Sequence, residues 1–138
     1  MPKCYAEGEI TVEVPFHDID VMGIAWHGHY AKYLELARTE LLNNIDYDIE
    51  QMKASGYAWP VIELHIRYAR PLNYRQKIRV RARLAEFENR LKINYEISDQ
   101  QTGRRLTRAH TVQVALDIAS GEMLFASPAV LKERLSLL

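Results

Sequence analysis

The sequence predicts an α+β domain in which one long apolar helix lies against a single curved antiparallel sheet of about five strands. Three observations predict it. Apolar and polar residues alternate over residues 8–16, an apolar stripe at spacings of three and four runs from about 29 to 44, and from residue 58 onward the period returns to two through several turn-separated segments. Strand, long helix, then consecutive short strands is the element order of a helix packed on one sheet.

The first strand reads from Ile10, Val12, Val14 and Phe16, with Thr11 and Glu13 opposite, and Pro15 marks an edge or a terminating position. Residues 17–28 read as an irregular connection, with Gly23 and Gly28 permitting unusual backbone angles. The helix is expected from about His29 to Asn44. Tyr30, Tyr33, Leu34, Ala37, Leu41 and Ile45 mark its apolar face, and Leu36 and Leu42 widen it. A short second helix is expected within 46–55, stopping at Ser55-Gly56. Residues 58–70 are β-rich, interrupted at Pro60 and ended by Arg70-Pro71. Strands then follow at 77–86, from Leu91 to Ile97, and over 106–118 with Val112, Val114, Leu116 and Ile118 apolar. A turn near Thr102-Gly103 and another at Ser120-Gly121 separate the last of them, residues 122–126 suggest a short final strand, and Pro128 suggests the start of a helix over 128–136.

A helix of roughly 16 residues is about 24 Å long, and five strands about 4.8 Å apart span a similar width, so one helix can lie across one sheet. Such a sheet keeps edges, and pairing an edge strand with a second copy would cover one, so the expectation is a homo-oligomer built on dimers, a homodimer or a tetramer of dimers.

The 138 residues suit one domain, 1–138. Lys+Arg and Asp+Glu are both 18, so the formal charge is zero and gives no global attraction to nucleic acid or an anionic membrane. The cations are unevenly placed: Arg67, Arg70, Arg75, Arg79, Arg81 and Arg83 crowd residues 65–92 against only Glu86 and Glu88. Cys4 is the single cysteine, which excludes an internal disulfide and suits a reducing compartment. No run approaches the roughly 20 apolar residues of a membrane span, and Met1–Glu7 lack the core of a signal peptide. A cytoplasmic protein is expected.

Chemistry concentrates in residues 16–40, where Asp18, Asp20, Gly23, His27 and His29 crowd the start of the helix. The run Asp18-Ile-Asp20-Val-Met-Gly23-Ile-Ala-Trp-His27-Gly-His-Tyr30, followed by Tyr33-Leu-Glu35-Leu-Ala-Arg38, resembles the signature of the hotdog-fold acyl-CoA thioesterases of the 4-hydroxybenzoyl-CoA thioesterase type. Trp26-His27 and Ala37-Arg38-Thr39-Glu40 look most like the branch associated with the Tol-Pal cell-envelope system, and Tyr68-Ala-Arg-Pro71-Leu-Asn-Tyr74 also fits. One departure is Arg75-Gln76-Lys77, where the family often carries an acidic residue. The resemblance implies a hotdog fold and hydrolysis of an acyl thioester, on coenzyme A or acyl-carrier protein, with no metal or other cofactor and with active sites at a dimer interface. It implies that Asp20 is the catalytic carboxylate, as nucleophile or general base, and that the His27 amide binds the thioester oxygen.

The residue types suit that chemistry. Thioester hydrolysis needs an activated nucleophile and a stabiliser for the oxyanion. An Asp with a reference pKa of about 3.9 is ionised at neutral pH. A helix N-terminus offers unpaired N–H groups and partial positive charge. Asp18 and Asp20 also suit turn or cap roles, with Asp18 as an anchor for the loop. His27 can act through its ring or only through its amide. Asp18, Asp20, His27 and His29 are proper metal-ligand types, but nothing in their spacing converges them. Gly23, Trp26, Tyr30, Glu35, Arg67 and Arg70 are the candidate substrate-binding residues. Glu35 either positions water or pairs locally, and Arg67, Arg70 and Arg75 suit the phosphates of coenzyme A or an acidic carrier protein, whereas Arg79, Arg81 and Arg83 suit a solvated strand face. Two other activities fit the same residues: a dehydratase or hydratase on enoyl thioesters, pairing His17 or His27 with Asp20, and a non-catalytic acyl-thioester-binding module.

Overall fold

The computed structural model describes residues 4–136. In chain order it contains β1 (Glu7–Glu13), α1 (Tyr30–Asn44), α2 (Ile49–Ala54), β2 (Tyr57–Ala58), β3 (Val61–Tyr68), β4 (Lys77–Glu86), β5 (Leu91–Asp99), β6 (Arg105–Gln113), β7 (Leu116–Asp117) and α3 (Ala129–Ser136). Five strands form one antiparallel sheet in the order β1-β4-β5-β6-β3, and β2 pairs with β7 beside it. The expected helix-on-sheet architecture is present.

The alternating pattern sets the inner face. Ile78, Val80, Ala82 and Leu84 of β4 and Leu91, Ile93, Tyr95 and Ile97 of β5 are buried, and Tyr30, Tyr33, Leu34, Ala37 and Leu41 of α1 are buried with them. Each fully buried Leu or Ile contributes roughly 1.5–3 kcal/mol, so this layer dominates the favourable side of folding. The helix approaches β1 closely enough to require Gly8, because a Cβ there would stand 2.3 Å from the Leu41 backbone nitrogen.

The helix does not cover the sheet evenly. It packs on β1 and β4, leaving the far edge strand β3 with Leu64 and Tyr68 about half exposed on the inner side. The two edges differ in chemistry. β1 presents Glu7, Glu9 and Glu13 and is followed by Pro15, features that discourage pairing, whereas β3 offers Val61, Ile62 and Leu64 to solvent.

The long helix runs Tyr30–Asn44 as expected, preceded by a 3-10 turn, His27–His29. Three local expectations need correction. The segment expected as one strand over 106–118 divides into β6 and β7, which join different sheets. Within β6 the inward row is Thr107, Ala109, Thr111 and Gln113, the opposite phase from the apolar even positions. Polar side chains are accommodated because Tyr95 and Thr111 share a 2.8 Å hydrogen bond and Gln113 donates to the Trp59 carbonyl at 2.8 Å. Residues 122–126 make only an isolated bridge, Leu116 with Met123, flanked by the Asp117 amide donating to the Glu122 carbonyl and the Leu124 amide to the Ala115 carbonyl, both at 2.8 Å.

Candidate active site

The loop between β1 and α1 is built from short-range hydrogen bonds. After Pro15 a 3-10 turn, Phe16–Asp18, is closed by the Asp18 and Ile19 amides donating to the Pro15 and Phe16 carbonyls at 3.1 and 3.0 Å. A tight turn follows. The Gly23 amide donates to the Asp20 carbonyl at 3.0 Å, and Gly23 adopts a φ of 81°, where a side chain would be strained. Ile19 and Ala25 bridge across the turn, and the Ala25 amide donates to the Leu72 carbonyl at 2.8 Å, tying the loop to the segment after β3.

Asp20 stands at the corner of this turn, half-buried. Its Oδ1 accepts the Met22 amide at 2.8 Å, an Asx turn, and its other oxygen has no protein partner among the described residues. One carboxylate oxygen therefore holds the loop while the second stays available. In the following 3-10 turn the His29 amide donates to the Trp26 carbonyl at 2.9 Å. The first N–H groups of such a turn, here on His27 and Gly28, have no partner inside it. Both residues are exposed, and among the described residues neither amide has an acceptor. A carboxylate and a pair of open amide donors thus lie seven residues apart on one braced loop.

Asp18 does the bracing. Its side chain is 1% exposed. Lys32 Nζ donates to one oxygen at 2.7 Å and the Tyr33 hydroxyl to the other at 2.6 Å, so the first turns of α1 grip the loop. Its own carbonyl accepts the Trp26 amide at 2.9 Å. Burial pushes the Asp18 carboxyl up, but the bonds from Lys32 and Tyr33, with His29 Nδ1 at 3.8 Å, outweigh it and hold the group below the usual carboxylate range. The same contact, added to burial, holds the Tyr33 phenol far above its ordinary value. With Asp18 occupied this way, it anchors the loop as expected and is withdrawn from a shared ligand set with Asp20, His27 and His29. Among the described residues no three His, Cys, Asp or Glu side chains converge as metal ligands would.

Aromatic rings surround the amide donors. The Tyr68 hydroxyl reaches across from β3 and donates to the His27 carbonyl at 2.9 Å. The Tyr68 ring stands edge-on to the buried Tyr30, centroids 4.7 Å apart. Trp26 lies between His27 and His29 at 5.1 and 5.3 Å, packed over Gly28, where a Cβ would fall 2.2 Å from its ring. The His27 ring is exposed and touches Tyr68 edge-on at 6.1 Å.

The candidate residues fall in four places. Asp20, Gly23, Trp26, His27 and Tyr30 share the loop and helix start. Glu35 is exposed, 3.9 Å from Arg38, and lines a depression of about 340 Å³ with Asp18, Lys32, Tyr33 and Leu36. Arg67 and Tyr68 are successive residues of β3 and project to opposite faces, so Arg67 lies on the far side of the sheet from His27. Arg70 is exposed just beyond β3, its amide bonded to the Leu106 carbonyl at 3.0 Å. Lys32 as loop anchor and the Tyr68 hydroxyl were not legible in the sequence. Lys32 carries only the weak signal of a cation near a D-x-D motif, and Tyr68 is separated from His27 by 41 residues with no spacing rule to connect them.

The chain is similar to proteins of known kinship. It is 33% identical over 128 residues to the protein named "Putative esterase sll0410" of Synechocystis, covering 92% of this chain and 77% of that one. It is 33% identical over 63 residues to "Putative acyl-CoA thioesterase YneP" of Bacillus subtilis, 46% of each chain. The structure superposes on the hypothetical protein TT1821 of Thermus thermophilus with a TM-score of 0.83 at 27% identity, over 95% of this chain and 98% of that one. Residues 14–135 match the Thioesterase-like superfamily, a span that holds the braced loop, α1 and the whole sheet except β1, and the chain belongs to that superfamily.

Proposed function

We propose that this protein hydrolyses acyl thioesters, with Asp20 as the catalytic carboxylate and the His27 and Gly28 amides as the oxyanion site. The observation that carries the reading is the pairing of a free Asp20 oxygen with open amide donors on one loop, held by Asp18 and Tyr68. The thioester oxygen takes the two amides, so charge that develops on it meets fixed donors and the positive end of α1. Asp20 then attacks the carbonyl carbon or takes a proton from an attacking water. In either route the C–S bond breaks, the thiolate leaves, and the carbon acquires an oxygen that ends in the free acid. In the nucleophilic route the thiolate leaves to give a mixed anhydride of Asp20 and the acyl group, which water then hydrolyses; label found in the Asp20 carboxylate after a single turnover in labelled water, from water attacking the Asp20 carbonyl carbon, identifies that route.

The substrate is a thioester of coenzyme A or of an acyl-carrier protein, with Gly23, Trp26, Tyr30 and Arg70 as its candidate contacts. Support for dimers comes from β3, an unpaired edge with apolar Ile62 and Leu64 exposed, and from the exposed loop tip at Val21 and Met22. Pairing two β3 edges would continue the sheet and bring a second chain beside Tyr68. Cytoplasmic residence and membership of the Tol-Pal-associated branch, which rests on Trp26-His27 and the segment Ala37 to Glu40, complete the proposal. In the described residues no helix is long and apolar enough to cross a membrane.

Asp20→Asn tests the reading cleanly. Asparagine keeps the oxygen that accepts the Met22 amide, so the loop is retained while the charge is lost. Loss of a general base costs about 100- to 10,000-fold in turnover. Thiol release across a panel of acyl-CoA and acyl-carrier-protein donors should fall by that much, with the melting temperature nearly unchanged. Full activity in this variant would sink the mechanism, and binding without thiol release in the wild type would favour a non-catalytic module.

A further inference from the structure

The sheet face turned away from α1 carries a charge pattern that the Asp20 site does not use. One cross-strand row holds Glu9, Arg81, Glu96, Arg108 and Arg67, in the order of the strands. The next holds Glu7, Arg83, Asn94, His110 and His65. Toward β1 the charges cancel: Arg79 and Arg81 reach Glu9 at 2.7 and 3.4 Å, and Arg83 reaches Glu7 at 3.5 Å. Toward β3 they cancel only in part: Glu63 of β3 reaches His110 at 3.4 Å, but the arginines are left over. Arg67 and Arg108 stand directly opposite each other, and among the described residues neither has a carboxylate partner. Arg105 approaches Glu96 only at 4.0 Å. Beside them the His65 and His110 rings are stacked, centroids 5.3 Å apart and 11° from parallel.

Like charges directly opposed on a sheet weaken it, so this pair does nothing for the fold. Above it lies a trough of about 510 Å³, lined by Arg67, Arg81, Arg105, Arg108, His65 and His110. That volume suits a small-molecule ligand. Guanidinium groups bind phosphate oxygens in pairs, and two unpaired arginines side by side present forks to adjacent phosphates. We propose that the trough over β3 and β6 binds a nucleoside polyphosphate, held by Arg67 and Arg108 with Arg105 and the stacked histidines around it. A second copy stacked face to face on this outer surface would set the same uncompensated arginines against themselves, which favours an anionic ligand. Two sources share the chemistry: the nucleotide end of a coenzyme A carrier and a free nucleotide acting as an effector. Only the first rests on the thioesterase reading.

Calorimetric titration of the wild-type protein with ATP, tripolyphosphate and adenosine 3′,5′-bisphosphate tests the proposal. Saturable binding that weakens with added salt is expected, with a loss of about tenfold or more for each guanidinium removed. The double variant Arg67→Gln/Arg108→Gln should therefore lose measurable binding, Arg67→Lys/Arg108→Lys should keep part of it, and Arg79→Gln on the compensated side should change it less than about twofold. Thermal melts establish that each variant is folded. Preference for the 3′,5′-bisphosphate assigns the carrier as source, and equal or tighter binding of ATP or tripolyphosphate assigns an effector; either supports the site. No saturable binding by the wild type, or binding unchanged in the double glutamine variant, overturns it. So does a change in sedimentation of that variant where the wild type binds none of the probes, since the face would then be an interface between copies. Thiol release from an acyl-pantetheine, which lacks the nucleotide, reports the Asp20 chemistry separately.

Discussion

Replacing Asp18 by asparagine keeps the shape of the side chain and removes its charge at the one buried carboxylate of the loop. Tyr33 can still donate to the amide oxygen, but Lys32 loses its acceptor. A hydrogen bond to a charged group contributes about 1.5–3 kcal/mol. The Lys32 side chain is 51% exposed and regains water, so a net loss of roughly 2 kcal/mol is expected rather than the larger cost of stranding a fully buried charge. With an unfolding entropy of about 2.1 cal/mol/K per residue, that lowers the melting temperature of a chain this size by about 7 °C. The effect depends on pH with a definite sign. The folded-state pKa of Asp18 is depressed, so its contribution is present above the unfolded value of about 3.9 and is lost as pH falls through the lower folded value. Melts of wild type and Asp18→Asn should differ by a constant amount near neutrality and converge in acid. A double-mutant cycle with Tyr33→Phe should show coupling of about 1 kcal/mol. Melting temperatures equal within about 2 °C at neutral pH, or a gap that persists in strong acid, would refute the anchoring role.

Tyr68→Phe removes the bond to the His27 carbonyl and should reduce turnover by about tenfold through mispositioned amides, with stability lowered by no more than about 1.5 kcal/mol, read from parallel kinetics and melts. Gly8→Ala places a methyl against the Leu41 backbone, which cannot rotate away, and should cost about 3 kcal/mol or more in denaturant unfolding. Leu64→Glu puts a charge on the inner side of the β3 edge and should shift sedimentation toward monomer while thiol release falls; an unchanged assembly would remove β3 as the pairing edge.

How much of this was legible before folding varies with the range of the interaction. The α1 stripe Tyr30, Tyr33, Leu34, Ala37 and Leu41 is buried as its spacing requires, and β4 and β5 follow their alternation, because burial acts on each residue through local periodicity. β6 reversed its phase because Thr107, Thr111 and Gln113 face inward, two of them bonded to Tyr95 and the Trp59 carbonyl, contacts that no local pattern encodes. Around the candidate site the chain order of Asp18, Asp20, Gly23 and His27 established a carboxylate, a turn and a helix start, since all lie within one short loop. Tertiary structure decided the rest. It gave Asp18 its grip by Lys32 and Tyr33, brought Tyr68 to the His27 carbonyl, and set Arg67 on the opposite face of the sheet. The physical reason is that a strand's two faces and a helix's flanks diverge by parity and angle, so neighbours in sequence such as Arg67 and Tyr68 end on opposite sides of the sheet.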